Sequence, residues 1–329
     1  MFINFITIEI TDKCNAKCPQ CMRTNPEGCM PNVFVRNIDM SLIDFQKYVP
    51  VKLLTQLQQI SFNCPMGDPV AHNNIFPILD YIVQHNPNIK IDFPTNGSLR
   101  NAQYWQRLAT YKQITATFAI DGVDNQTHQY YRRNTNLDKI LENANTFIQA
   151  GGKAIWQFII FEHNATQEET AKQLASDMKF NKFISFHSSR FNNTDTFKYL
   201  YDNTTYELKM IDDDIKYRTE LHYGQRNTVS SINCKSLDNE EIFIDIEGNI
   251  MPCCYHAGSL FASKHITQRE NFNNYIDVSF DTYDTQKFNI NTQGFDSAFS
   301  MYLSYMNDLK EQWRVLNPPM CKNVCGKCS

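Results

Sequence analysis

The sequence lacks any uninterrupted apolar run approaching the ~18 residues a membrane-spanning helix needs, so no span is expected. It also lacks a secretory start. The opening "MFINFITIEITDKC" has no basic n-region, and Asn4, Thr7 and Glu9 break its short apolar stretch. Excess positive charge is missing too: 31 lysines and arginines stand against 35 aspartates and glutamates, for a formal net charge of −4. That balance offers no general attraction to a phosphate backbone, which disfavours a nucleic-acid partner. Internal repeats and low-complexity linkers are absent. These absences together point to a soluble, cytoplasmic protein.

What is present supports a folded core. The 329 residues are 42% hydrophobic and 13% aromatic, enough for one large α/β domain and a smaller module. Strand-like patterns fall at about 4–11, 58–63, 89–93, 114–119, 154–161 and 182–187, with helical periodicities between them at about 40–57, 73–85, 101–111, 137–149 and 167–178. The clearest helix puts Leu137, Ile140, Leu141, Ala144, Phe147 and Ile148 on one face and ends at Gly151-Gly152. Alternation of this kind predicts βαβ units and a parallel sheet. The pattern fades after about residue 190. A hairpin is expected over 241–254 around Glu247-Gly248-Asn249, and 255–320, polar and aromatic, reads as irregular.

Eleven cysteines are informative in a reducing compartment, where clusters of them bind metal or do redox work more often than they form disulfides. Nine fall in three groups: Cys14/Cys18/Cys21, Cys234/Cys253/Cys254 and Cys321/Cys325/Cys328. Cys29 and Cys64 read as ordinary loop or core thiols. The first group, "CNAKCPQC", follows the first strand. Its C-x3-C-x2-C spacing can hold three corners of a [4Fe–4S] cluster. A tetrahedral zinc site needs a fourth ligand, and no His or Cys lies within seven residues of the trio. Ligands of parallel sheets gather where strands end and helices begin. The other unusual stretches lie there: "PMGDP" after the second strand, "PTNG" after the third and "IDG" after the fourth.

These residues resemble the radical S-adenosylmethionine (radical SAM) superfamily over about residues 3–190. "CNAKCPQC" has the family's C-x3-C-x2-C motif. "MGDP" is similar to its Gly-Gly-Glu-Pro segment, which implies that Gly67 and Asp68 meet the SAM amino group. "TNG" and "FAIDG" resemble its ribose- and methionine-contacting strand ends, implicating Thr95, Asn96 and Asp121. "HQYYR" resembles a His-Asp-x-x-Arg segment whose arginine, here Arg132, meets the SAM carboxylate. The sequence departs from the pattern at Gln20, where an aromatic residue is usual, at Met66 and Asp68 for Gly and Glu, at Ala119 for Ser, and at Gln129 for Asp. The resemblance implies a partial (β/α)6 TIM-like barrel followed by a small C-terminal Fe–S module containing the β-hairpin. It further implies a cluster whose fourth iron takes SAM, reductive cleavage to a 5′-deoxyadenosyl radical, and hydrogen abstraction from a small-molecule or peptide substrate.

Cys234, Gly248 and Cys253, followed by "MCKNVCGKCS", resemble the Twitch/SPASM auxiliary-cluster region of one branch of this superfamily. That implies one auxiliary [4Fe–4S] cluster on Cys234, Cys253, Cys321 and Cys325, with Cys328 and Cys254 as alternate ligands; a zinc-ribbon-like site is the competing reading. The expected division is a core at 1–190, a connecting segment at 191–233 and the auxiliary region at 234–329. An electron donor such as a flavodoxin or ferredoxin is implied as partner. Because the motif begins at residue 14, a leader-binding module would be a separate protein. Arg190, after the sixth strand, is a candidate for binding an anionic group of the substrate. A non-catalytic Fe–S or zinc protein on a degenerate barrel, and methyl or sulfur transfer, stand as alternatives.

Overall fold

The computed structural model describes residues 3–188, 190–191, 194–211, 229–232, 234–265, 283–316 and 326–328. Six parallel strands appear where the alternation placed them: β1 (Phe5–Ile8), β2 (Gln59–Ser61), β3 (Lys90–Thr95), β4 (Ile114–Ala119), β5 (Lys153–Ile160) and β6 (Lys182–His187). They pair in chain order from β1 to β6. Their period of two sorts side chains onto two faces. In β4, Ile114, Ala116 and Phe118 are buried while Thr115, Thr117 and Ala119 face the other way, and β5 repeats this with Ala154, Trp156, Phe158 and Ile160. The apolar face packs under helices α1 (Leu42–Tyr48), α2 (Val51–Leu54), α3 (Phe76–His85), α4 (Ala102–Leu108), α5 (Asn125–Tyr131), α6 (Leu137–Gln149) and α7 (Glu168–Asp177). Trp105, Phe118, Phe147, Trp156 and Phe180 form a continuous aromatic seam there, with ring centroids 5.2–6.2 Å apart. The opposite face is polar, and that is where the cavity lies. The architecture is the expected α/β partial barrel.

Two local readings change. The single helix expected over 40–57 is two, because Pro50 cannot donate a backbone hydrogen bond and becomes the N-cap of α2. The stretch from Asn125 to Tyr131, too polar to show periodicity, is α5, capped by Asp124, whose Oδ1 accepts from Thr127 N at 2.8 Å. By contrast α6 ends as expected: Gly151 takes φ +86° and donates to Ile148 O at 2.9 Å.

Beyond the barrel, β7 (Thr196–Tyr201) and β8 (Thr204–Lys209) form an antiparallel hairpin, and β9 (Val229–Ile232) leads to the short α8 (Lys235–Asp238). The expected 241–254 hairpin is present as β10 (Glu241–Ile244) and β11 (Ile250–Met251). Its turn is fixed by Asp245, whose Oδ1 accepts from Glu247 N and Asn249 N, each at 2.9 Å. This hairpin extends the barrel sheet: β10 runs parallel to β1, Phe5 opposite Glu241 and Ile8 opposite Ile244. The sheet therefore reads β11-β10-β1-β2-β3-β4-β5-β6.

The irregular reading of 255–320 is corrected. The segment holds α9 (Cys254–His265), α10 (Ile290–Gln293) and the 22-residue α11 (Phe295–Leu316). Ala298, Tyr302 and Met306 recur every four residues on its buried face. The last element, β12 (Gly326–Cys328), pairs with β9. Among the described residues no helix is long and apolar enough to cross a membrane.

Candidate active site

A cavity of about 650 Å³ opens at the carboxyl ends of the strands. Its lining includes Cys14, Cys18, Cys21, Gly67, Asp68, Thr95, Asn96 and Arg132, so eight of the nine residues expected at the rim converge on one space. The ninth, Asp121, lies just beneath, fully buried.

The cysteines sit on the loop between Ile10 and Met22. The "MGDP" loop packs directly on its root: Met66 N donates to Glu9 Oε1 at 2.9 Å, and Asp68 N donates to Lys13 O at 2.8 Å. Gly67 is required by this approach. A Cβ built there would lie 1.9 Å from Thr11 O, a backbone atom that cannot swing aside.

Asp68 is held by four donors. Its Oδ1 accepts from Val70 N (2.9 Å) and Thr95 Oγ1 (2.9 Å), and its Oδ2 accepts from Asn96 N (2.7 Å) and Asn96 Nδ2 (2.7 Å). Burial raises its carboxyl above the ordinary range while these bonds oppose the rise. The shorter side chain thus stays tied to the third strand end, and Asn96 Nδ2 also lies 3.6 Å from Cys14 Sγ.

Asp121 and Arg132 form a buried ion pair, Nε to Oδ2 at 2.5 Å. Asp121 Oδ1 accepts from Ile159 N at 2.6 Å, and Arg132 Nη1 reaches Cys18 Sγ at 3.7 Å. Burial raises Asp121, and the guanidinium beside it pulls the other way. His128, buried beneath, accepts from Asp121 N at its Nδ1 (3.2 Å) and meets Thr135 Oγ1 at its Nε2 (3.0 Å). Burial lowers its pKa to about 3, so the ring is neutral and serves as a brace for the strand end. Gln129, where the resemblance expects Asp, donates to Thr135 O at 2.6 Å and steadies the same turn. Arg133 is buried as well. Its Nε and Nη2 donate to Tyr199 Oη at 3.0 and 2.7 Å, and its guanidinium lies 3.9 Å from the Tyr206 ring centre.

The family model for the radical SAM superfamily matches residues 8–174. This chain belongs to the radical SAM superfamily. Its relatives include the GTP 3′,8-cyclase of Syntrophomonas wolfei, 29% identical over 140 residues (43% of this chain, 41% of that protein). The GTP 3′,8-cyclase of Campylobacter curvus is 20% identical over 282 residues (78% and 82%). The chain thus spans under half of the Syntrophomonas relative. Among solved structures, Streptococcus suis SuiB bound to S-adenosylmethionine superposes with a TM-score of 0.54 at 14% identity, covering 78% of this chain and 61% of that one. The structure of anSMEcpe with bound AdoMet and the Cp18Cys peptide gives 0.52 at 14% identity, covering 95% and 98%. These likenesses show a shared fold.

Radical SAM membership implies a [4Fe–4S] cluster and SAM, and the residues present fit both. Three thiols share one wall of a cavity large enough for a further ligand. Burial pushes Cys14 well above the ordinary thiol range, with Asp68 adding to the rise; burial likewise raises Cys18, opposed by Arg132. Thiols in that setting keep their protons until a metal displaces them. Among the described residues no three His, Cys, Asp or Glu side chains are gathered tightly enough for one ion. Ligands of a cluster bind different irons and need no such gathering.

Several lining residues escaped the sequence reading: Ser61, Asp92, Thr117 and Gln157 from the polar face of the sheet, and Phe186, Ser188 and Tyr255 at the far wall, all border the cavity, as do Arg190 and Cys254, which the sequence singles out.

The later cysteines part company. Cys321 and Cys325 lie outside the described residues, and Cys328 is in β12. Cys234 and Cys253 both lie close enough to Tyr302 to raise its phenol further, on top of the dominant effect of burial. Cys254, next in sequence, turns instead into the radical SAM cavity.

Proposed function

We propose that this chain is a cytoplasmic C–H-modifying oxidoreductase that cleaves SAM reductively and acts on a small-molecule or peptide substrate. The observation that carries the reading is convergence: residues from four separate strand ends, each matching a family motif in order, border the cavity that holds the cysteine trio or brace it from below. Cys14, Cys18 and Cys21 would hold three irons of a [4Fe–4S] cluster. Gly67, Asp68, Thr95 and Asn96 would receive SAM on one side, and Asp121 with Arg132 on another. A cluster held there would supply the single electron for reductive cleavage of SAM, the source of a radical for hydrogen abstraction.

The chain's own residues do the placing. Asp68, immobilised by Thr95 and Asn96, offers a fixed carboxylate to an ammonium group. Arg132, anchored by Asp121, keeps a guanidinium facing the cavity without conformational search. Tyr131, Phe161 and Phe191 are buried in one apolar cluster with Ala16 and Cys18, which shields that side of the loop from water. A flavodoxin or ferredoxin would supply electrons. Anaerobically reconstituted protein given dithionite and SAM is expected to release 5′-deoxyadenosine; output no higher than that of Cys14→Ala refutes the reading.

For the second half we propose one auxiliary [4Fe–4S] cluster on Cys234, Cys253, Cys321 and Cys325, with Cys328 and Cys254 as alternates, serving electron transfer or substrate binding. Two features support it. Cys234 and Cys253 approach the same tyrosine, and Gly326 pairs with Ile232, which returns the chain end to the segment just before Cys234. Cys328 pairs farther back, with Val229.

A further inference from the structure

The cysteine loop makes few hydrogen bonds within itself, so its moorings decide where the three sulfurs stand. Besides the bond from Asp68 N to Lys13 O, three of them stand one beside each cysteine. Next to Cys14, Asn15 Nδ2 donates to Ser98 Oγ at 2.8 Å, and Asn134 Nδ2 donates to Asn15 O at 2.7 Å. Next to Cys18, Lys17 N donates to Arg133 O at 2.9 Å. Next to Cys21, Gln20 makes three bonds to the exit of β6. Its Nε2 donates to Arg190 O (2.8 Å), its Oε1 accepts from Ser188 Oγ (2.9 Å), and its backbone O accepts from Arg190 Nη1 (3.1 Å). Arg190 N closes the ring by donating to Ser188 Oγ at 3.3 Å. Gln20 and Ser188 are 4% and 7% exposed.

The first two moorings reach the ends of β3 and α5. The third crosses the mouth to the exit of β6, the last strand of the barrel, and is the one of these three that ties the loop to the open side. We propose that Gln20, acting through Ser188 and Arg190, is a positioning residue that sets the third cysteine and the far wall at a fixed separation, and that SAM affinity depends on this latch. A buried amide satisfied at both ends is unforgiving: loss of either partner strands the other, so the latch behaves as one unit. An aromatic residue at this place would pack without that directional demand. Gln20 makes the site depend on a residue 168 positions away, which explains how this chain manages without the ring.

The proposal rests on the reading of the cavity as a cluster and SAM site, and the test separates the two. Wild type, Gln20→Ala, Ser188→Ala and the double variant are reconstituted anaerobically. Iron per chain, SAM affinity by calorimetry, and the paramagnetic resonance spectrum of the reduced cluster with and without SAM are measured. Each single variant is expected to bind SAM about tenfold more weakly and to alter the SAM-dependent spectrum at wild-type iron content. The double variant should be no weaker than Gln20→Ala, because one latch is broken once. Should Gln20→Ala fail to take up iron, Ser188→Ala, which keeps the Gln20–Arg190 bonds, decides alone. Affinity within twofold of wild type with an unchanged spectrum overturns the latch, as do losses that multiply in the double variant. A wild type that binds no SAM overturns the cavity reading and the latch with it.

Discussion

Gly67→Ala offers the sharpest prediction. Atoms other than chain neighbours essentially never come within 3.0 Å of a real Cβ, and this one would lie 1.9 Å from Thr11 O. The backbone of the loop must therefore retreat by about 1 Å or more, since neither partner is a flexible side chain. Retreat breaks the short bonds that seat the loop, Met66 N to Glu9 and Asp68 N to Lys13 O. Each is worth about 1 kcal/mol net, and up to about 3 when a buried partner is stranded. A loss of about 2–4 kcal/mol in seating Asp68 corresponds to roughly 30- to 1,000-fold in SAM affinity. Calorimetric titration of SAM into reconstituted protein reads this directly, with iron content and melting temperature as controls. Affinity within threefold of wild type would show that the loop tolerates displacement and that close packing does not position Asp68.

Two further outcomes follow from the same geometry. Burial raises Glu9 from 4.5 to about 8, with its bond to Met66 opposing and Asp245 and Asp12 adding. The folded state then keeps a proton that the unfolded chain releases, so the contribution of Glu9 to stability is full below about pH 4.5 and falls by up to about 1.4 kcal/mol per unit as pH rises toward 8. Glu9→Gln keeps the acceptor for Met66 and is expected to flatten melting temperature between pH 6 and 8; parallel profiles would contradict this. Cys253→Ala is expected to lower bound iron by about four atoms per chain, whereas Cys254→Ala, on a side chain bordering the main cavity, should leave iron content unchanged; equal losses would reassign the ligand.

The barrel was legible because its strands alternate and its helices carry apolar stripes, both properties of local sequence. The three cysteines and the strand-end motifs were legible for a similar reason: each lies on one short loop, and the order of loops around a parallel sheet follows the order of the chain. Helix α5 was not, because its residues are polar and its stability comes from the Asp124 cap and from Tyr131 and His128 buried beneath the rim. Helix α11 hid its period behind scattered Asn, Tyr and Phe, although Ala298, Tyr302 and Met306 keep a spacing of four. The role of Gln20 was out of reach, since sequence marks it as a departure but not as a partner of Ser188. The divergence of Cys253 from Cys254 depends on where a helix begins, which adjacent identical residues cannot announce.

The parallel pairing of β10 with β1 bears on how the molecule is made. Phe5 meets Glu241, so during synthesis β1 waits for more than 230 further residues before its outer edge is covered. During synthesis β1 presents an open row of amides and carbonyls beside the nascent cysteine loop, a surface that invites pairing with another chain. Such a distant contact forms late and slowly. Truncation shortly before residue 241 would therefore leave a sheet that looks complete on its β6 side and is adhesive on the other. The C-terminal half thus protects the first strand of the barrel as well as bearing its own cysteines.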